Sequence, residues 1–151
     1  FLFIGVVSFF SMTKTAYHLL RVGTAITFIW IGILIFKFPE AWGGYLQSWA
    51  LDLLPISLER AMLPTAVLDI LIGVFLLIDV KTWVAAILAS LHLLMVLTVS
   101  GITDITVRDI GLLAGSISIL LCSIPPSIKN RIMFWKKQEV SSASQSYQKS
   151  Y

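Results

Sequence analysis

Residues 61–102 decide the fold, and they read AMLPTAVLDILIGVFLLIDVKTWVAAILASLHLLMVLTVSGI. Two apolar runs, residues 61–78 and 82–102, are separated by a connection of three residues that begins at Asp79 and ends at Lys81. A helix needs about 20 apolar residues to cross the hydrocarbon core of a bilayer. Two such runs with so short a connection predict an antiparallel pair of membrane-spanning helices.

Two further apolar runs extend this prediction to four spans. One covers residues 16–38, and the other covers residues 107–124 and ends at a pair of prolines. The sequence therefore predicts an all-α fold, an integral membrane four-helix bundle over residues 16–124. Residues 1–15 form an N-terminal apolar segment, either a trimmed signal or the end of a longer helix, and residues 125–151 form a basic, polar cytoplasmic tail.

The composition agrees with a membrane protein and excludes several soluble classes. Hydrophobic residues make up 58% of the 151 residues, and charged residues make up 13%. Soluble domains carry about 25% charged residues, and the mean hydropathy of this chain is +0.91. A soluble enzyme or a nucleic-acid-binding domain is therefore not expected. The single cysteine, Cys122, excludes a disulfide within the chain.

The distribution of basic residues predicts the orientation in the membrane. The formal charge is +3, and basic residues favour the cytoplasmic side of a membrane protein. With four spans, eight basic residues share the side of both termini, and three lie on the opposite side: Lys14, Arg21, Lys81, Lys129, Arg131, Lys136, Lys137 and Lys149 against Lys37, Arg60 and Arg108. We therefore expect a multi-pass protein of the plasma membrane with both termini in the cytoplasm.

The first connection between spans, residues 39–60, is rich in aromatic residues. Trp42, Tyr45 and Trp49 recur there at helical spacing, which is typical of a short helix that lies in the membrane interface. Two roles are open for this helix. It could be a lid over a cavity between the spans, or an anchor with no other role.

Three ionisable residues within the spans, Asp69, His92 and Arg21, form a candidate intramembrane polar site. Asp69 lies about ten residues before the connection at Asp79–Lys81, and His92 lies about eleven residues after it. At 1.5 Å per residue the two should lie at one depth, so we expect them to contact each other inside the bundle. A proton-transfer role and a purely structural hydrogen bond both remain open. Arg21 could face inward towards an anionic partner or extend to the membrane surface.

Small residues and the remaining polar residues point to packing rather than chemistry. Gly73, Gly111 and Gly115 lie at spacings that allow close helix contact. Asp109 lies in the first turn of the fourth span, where a carboxylate favours the helix N-terminus. His18 and His92 are too far apart along the membrane normal to ligate one haem iron. We therefore expect no metal site.

Three segments of the chain together resemble one family. They are LLRVGTAITFIWIGILIFKF at residues 19–38, LDILIGVFLLID at residues 68–79 and RDIGLLAGSISILL at residues 108–121. Their order and spacing resemble the first, second and fourth helices of DoxX-like proteins, with Asp69 where that family usually has Glu. The resemblance implies a four-helix membrane bundle linked to membrane redox systems, with Arg21 and Asp69 as the positions of interest.

The resemblance and the residues together give two functional hypotheses. The first is an accessory subunit of a membrane redox or respiratory-type complex, which is not catalytic alone and which offers packing surface and a quinone or lipid site near Asp69 and His92. The alternative is a stand-alone quinone-linked oxidoreductase or a small-solute carrier. We expect no covalently bound cofactor. The expected partners are membrane lipids and larger membrane subunits, without nucleic acid.

Overall fold

The computed structural model describes residues 12–131 and residue 134, and it is all-helical over these residues. Most of the predicted N-terminal segment and most of the predicted tail lie outside this part of the chain. The helices are numbered here in chain order. They are α1 (Lys14–Lys37), α2 (Pro39–Gly43), α3 (Ser48–Asp52), α4 (Leu58–Leu77), α5 (Thr82–Ser100) and α6 (Val107–Ser123).

Three of these helices, α1, α4 and α5, are long and apolar enough to cross a membrane. The predicted all-α class and the presence of several membrane-spanning helices are therefore supported. Helix α6 has 17 residues, which is shorter than the roughly 20 residues of a typical span. Many large apolar side chains on α1, α4 and α5 are exposed, as expected for surfaces that contact lipid.

The core lies where the four longer helices meet. Helix α1 packs mainly along α4, and α5 packs mainly along α6, with smaller contacts between α4 and α5 and between α1 and α6. The buried apolar residues come from all four helices, with three alanines from α5 among them: Ala25, Phe28, Ile72, Leu76, Ala85, Ala86, Ala89, Leu93 and Ile119. Small residues on α5 bring its backbone close to its neighbours.

The α1–α4 contact depends on two glycines that face each other's helix. A Cβ atom at Gly73 would lie 2.7 Å from the Ala25 carbonyl oxygen, and one at Gly32 would lie 2.8 Å from the Ala66 carbonyl oxygen. Both distances are shorter than ordinary van der Waals contact. The close approach at Gly73 agrees with the packing role predicted for it, and Gly32 provides the matching half of the contact.

The two glycines predicted to pack α6 differ from each other. Gly115 is buried, and a Cβ atom there would make an ordinary contact, 3.5 Å from Leu20 Cδ1 of α1. Gly111 is exposed, and a Cβ atom there would meet nothing within 4 Å among the described residues. The packing role of Gly111 stays a prediction, and the buried face of α6 runs through residues 109, 115, 116 and 119.

The predicted tight connection between α4 and α5 is confirmed. It is closed by Asp79 and Lys81, which adopt positive φ values of 58° and 46°. The Thr82 hydroxyl donates a hydrogen bond to Asp79 Oδ1 over 2.6 Å. Left-handed backbone is uncommon for residues with a side chain, so this turn depends on the packing of the two helices that it joins.

The aromatic connection forms two five-residue helices, α2 and α3, instead of the single helix predicted. The adjacent glycines Gly43 and Gly44 at the end of α2 favour this break. Gln47, between the two helices, donates a backbone hydrogen bond to the Val99 carbonyl oxygen at the end of α5 over 2.9 Å. Gly101 has a φ of 71°, and a Cβ atom there would lie 2.4 Å from Gln47 Nε2. This segment is thus held against the end of α5.

Helix α4 begins at Leu58, three residues earlier than the predicted start at residue 61. Pro64 therefore lies inside the helix instead of in its first turn. Proline cannot donate to the carbonyl four residues earlier, which here belongs to Arg60 in the exposed first turn. Water or lipid headgroups can reach that carbonyl at the end of a helix, which reduces the cost of the lost bond.

Candidate functional site

The candidate site lies at the middle of the α4–α5 hairpin. Asp69 of α4 and His92 of α5 are at similar distances from the turn, and their side chains are only 5% and 4% exposed. His92 Nε2 lies 3.0 Å from Asp69 Oδ1. The expected contact at one depth inside the molecule is therefore present. The short turn fixes the register of the two helices, and that register brings the two side chains together.

The Asp69–His92 pair contains polar atoms without a hydrogen-bond partner among the described residues. The 3.0 Å separation is within the range of a hydrogen bond, but the angles between the two groups are not those of a hydrogen bond. Among the described residues, Asp69 Oδ1 and the other ring nitrogen, His92 Nδ1, have no hydrogen-bond partner although both atoms are buried. A buried polar atom without a partner costs about 1–3 kcal/mol. The pair is therefore suited to bind a polar group of a ligand.

A cavity of about 310 Å³ reaches the pair. Its walls are mainly apolar, with side chains from α1, α4, α5 and α6 such as Phe28, Met62, Val96 and Leu112. Ligand sites in proteins commonly combine apolar walls with a few polar groups. The Asp69–His92 pair supplies such polar groups deep inside this cavity.

The α2–α3 segment forms another wall of the same cavity. Trp42, Tyr45 and Leu46 line it, together with Ala50 and Leu54 from α3 and the residues after it. The Trp42 and Tyr45 rings pack edge to face with centroids 6.5 Å apart. Of the two roles left open for this segment, the position over a cavity agrees with the lid.

A second polar group on the cavity wall consists of Arg108 and Asp109, at the start of α6. Asp109 is 6% exposed, and Arg108 Nε lies 3.5 Å from its Oδ1. The Arg108 guanidinium also lies over the Trp42 ring, 5.4 Å from the ring centroid, a cation–π contact. Carboxylate, guanidinium and indole thus meet beside the α2–α3 segment.

Asp109 was predicted only as a favourable charge at a helix N-terminus, but it also lies on the cavity wall. Its spacing in α6 relates it to two residues whose burial only the structure shows. Asp109 precedes Ser116 by seven residues and Ile119 by ten, which places all three on one helix face. Ser116 and Ile119 are fully buried, so an Asp on their face is expected to point inward as well.

Arg21 does not join the candidate site. Its guanidinium donates hydrogen bonds to the carbonyl oxygens of Leu76 and of Leu77, the latter over 3.0 Å. These carbonyls end α4, about 10 Å along the helix from Asp69. Arg21 Nε also lies 3.7 Å from Asp79 Oδ1. Arg21 therefore faces inward, but its partners are a helix C-terminus, the α4–α5 turn and His18, whose Nδ1 lies 3.4 Å from the guanidinium.

Helix ends leave carbonyl groups without partners and carry partial negative charge. Arg21 compensates both at the end of α4 while linking α1 to the turn, which explains why a charged side chain with 9% exposure is tolerated there. Among the described residues, no group of three or more His, Cys, Asp or Glu side chains could hold a metal ion. The carboxyl of Asp69 and the imidazole of His92 can form hydrogen bonds and exchange protons.

No protein-family model matches this chain, and comparisons with curated proteins and with solved structures find no significant match either. The fold and the arrangement of side chains are consequently the basis for any functional conclusion.

Proposed function

We propose that this protein is a DoxX-like accessory subunit of a membrane redox complex and that its cavity binds a quinone. The observation that carries the proposal is the buried Asp69–His92 pair, with unpartnered polar atoms, inside an apolar cavity of about 310 Å³. The resemblance of three helices to DoxX-like proteins supports the link to redox systems.

A quinone fits the chemistry of this cavity. The ring and its alkyl tail are apolar, and the carbonyl oxygens accept hydrogen bonds, such as one from His92 Nδ1–H, the ring nitrogen without a partner among the described residues. Reduction of a quinone to a quinol takes up two electrons and two protons. Asp69 and His92 can pass protons to the quinone oxygens, while the electrons come from a partner subunit that carries a redox centre. The volume agrees with the lower end of the range for small-molecule sites, about 300–1,000 Å³.

The proposal includes a particular arrangement in the membrane. Helix α6 is the fourth span and completes a four-helix bundle in the plasma membrane, with a thinner bilayer or flanking side chains compensating for its 17 residues. Both termini face the cytoplasm, in keeping with the excess of basic residues on that side. The α2–α3 segment then lies at the outer interface, where Trp and Tyr side chains are favoured.

Binding can be tested with purified protein in detergent and a benzoquinone that carries an alkyl tail. Trp42 lines the cavity, so quenching of tryptophan fluorescence should report occupancy. We expect His92→Gln and Asp69→Asn each to weaken binding about tenfold. His92→Gln removes the imidazole N–H that donates to a quinone oxygen, and Asp69→Asn removes the carboxylate that contacts this imidazole. His18→Gln is the matched control, since this second histidine is exposed and lies outside the cavity.

A competing occupant is a lipid chain. If a long-chain alcohol displaces the quinone with equal affinity and Asp69→Asn has no effect, the cavity is a lipid site and the quinone assignment fails. The accessory role is tested separately by purification from its own membrane in mild detergent. Co-migration with larger subunits, identified by mass spectrometry, is the expected result. A homo-oligomer that reduces quinone without another subunit would overturn that role.

A further inference from the structure

We infer that the cavity opens towards the end of the molecule that carries α2 and α3, and that Asp109 makes its entrance favour neutral and cationic molecules over anions. This inference deepens the proposed function, since it concerns the same cavity. It states from which side a ligand enters and which charge the ligand carries. It also assigns selectivity to Asp109, a residue outside the Asp69–His92 pair.

The direction of access follows from which residues line the cavity. Beyond Asp69 and His92, the wall continues to Thr65 in α4, to Ser100 at the end of α5 and to Thr106 before α6. All of these positions lie between the pair and the α2–α3 segment. The cavity lining includes none of the described residues at the opposite end, neither Arg21 nor the turn at residues 79–81.

The opposite end is closed by a buried arginine and by a packed layer of apolar side chains. Arg21 donates to the carbonyls that end α4 and contacts Asp79. Ile72 and Leu76, one and two turns beyond Asp69 in α4, are 1% and 0% exposed. A molecule that approached from that end would have to displace this packed layer, whereas the other end already contains open volume.

The charge preference follows from the ionisable groups on the cavity wall. They are Asp69, His92, Arg108 and Asp109. Arg108 has a 46% exposed side chain and contacts Asp109, which is buried. Asp109 offsets Arg108 at the entrance, and without it the entrance would be positive and would attract anions.

Labelling of one cysteine with charged reagents tests both parts of the inference. The starting protein carries Cys122→Ser, which removes its only cysteine, and Thr65→Cys places a reporter on the cavity wall. Two further variants mark the two ends: Ser48→Cys in α3 and Val80→Cys in the α4–α5 turn, both at exposed positions. Sealed right-side-out and inverted vesicles are treated with membrane-impermeant thiosulfonates, one cationic and one anionic.

We expect the Thr65→Cys reporter to react from the same side of the membrane as Ser48→Cys. We also expect the ratio of cationic to anionic labelling rates to be higher at Thr65→Cys than at Ser48→Cys. At an effective dielectric constant of about 40 and a separation of about 10 Å, removing one charge changes the rate for each reagent about fourfold, in opposite directions. Asp109→Asn should therefore lower the cation-to-anion ratio about 16-fold, the product of the two changes.

Arg108→Gln is the matched control for charge, because it removes the opposite charge at the neighbouring position. It should raise the same ratio, and its exposed side chain makes it a milder test of folding than Asp109→Asn. Reaction of Thr65→Cys from the side of Val80→Cys would overturn the direction of access. An unchanged ratio in both charge variants would overturn the role of Asp109. Neither measurement uses a quinone. The inference can therefore fail while quinone binding holds, and quinone binding can fail while the labelling results are as expected.

Discussion

The close contact between α1 and α4 makes a quantitative prediction for two glycines. A Cβ atom added at Gly73 would lie 2.6 Å from Ile29 Cγ1, 2.7 Å from the Ala25 carbonyl oxygen and 2.9 Å from the Ile29 backbone nitrogen. The Ile29 side chain can rotate away, but the two backbone atoms move only with their helix. We therefore expect Gly73→Ala to force α1 and α4 apart.

The size of the effect follows from these distances. Restoring an ordinary contact of 3.4 Å from 2.7 Å requires a shift of about 0.7 Å. A gap of 0.5–1 Å removes roughly a quarter to a half of the dispersion energy of the atom pairs it separates. Membrane helices associate largely through such packing. We expect Gly73→Ala to lower the free energy of unfolding by about 1–3 kcal/mol, the range for overpacked cores. Gly32→Ala should behave alike, since its Cβ would lie 2.8 Å from the Ala66 carbonyl oxygen.

The chain supplies its own controls. A Cβ atom at Gly23 in α1 or at Gly111 in α6 would meet nothing within 4 Å in the part of the chain that the structure describes. Alanine at either position should be neutral or stabilising by up to about 1 kcal/mol through helix propensity. Unfolding is followed by circular dichroism during titration of the detergent-solubilised protein with sodium dodecyl sulfate. Equal effects of Gly73→Ala and Gly111→Ala would refute the reasoning, because the close contact would then have no energetic consequence.

The remaining predictions concern polar residues and topology. Arg21→Lys should lower the free energy of unfolding by about 1.5–3 kcal/mol, because an ammonium cannot reproduce the planar set of donors to two carbonyls. Asp79→Asn should lower it less, since that side chain is 46% exposed. A larger loss for Asp79→Asn in the same titration would contradict this account. A double-mutant cycle of Asp69→Asn and His92→Gln should give a coupling energy of about 0.5–1 kcal/mol, the lower end of the range for residues in contact. Strictly additive losses would show that the two residues act independently. A cysteine introduced into α3 should react with impermeant reagents from outside the cell, and one introduced after residue 140 should not; labelling of the second position from outside would contradict the proposed orientation.

The sequence by itself determined the helices and part of the candidate site. Long apolar runs in a chain with 13% charged residues leave few alternatives to membrane-spanning helices, because backbone polar groups must be satisfied within the segment when water is absent. The short connection between α4 and α5 fixes their register. The contact between Asp69 and His92 could therefore be predicted by counting residues from the turn.

Only the tertiary structure decided which other residues share the cavity. Arg21 and Asp69 lie on buried faces of neighbouring helices, but the crossing of α1 and α4 sets Arg21 against the end of α4, which residue spacing in α1 cannot indicate. The orientation of α6 about its axis places Asp109 on the cavity wall and Gly111 on the exposed side. Helix rotation depends on contacts between segments that are distant in the chain, and the hydrophobic pattern of a helix surrounded by both protein and lipid scarcely distinguishes the two sides. The sequence alone therefore located the spans and one buried pair, while the packing of the helices determined the cavity and its second carboxylate.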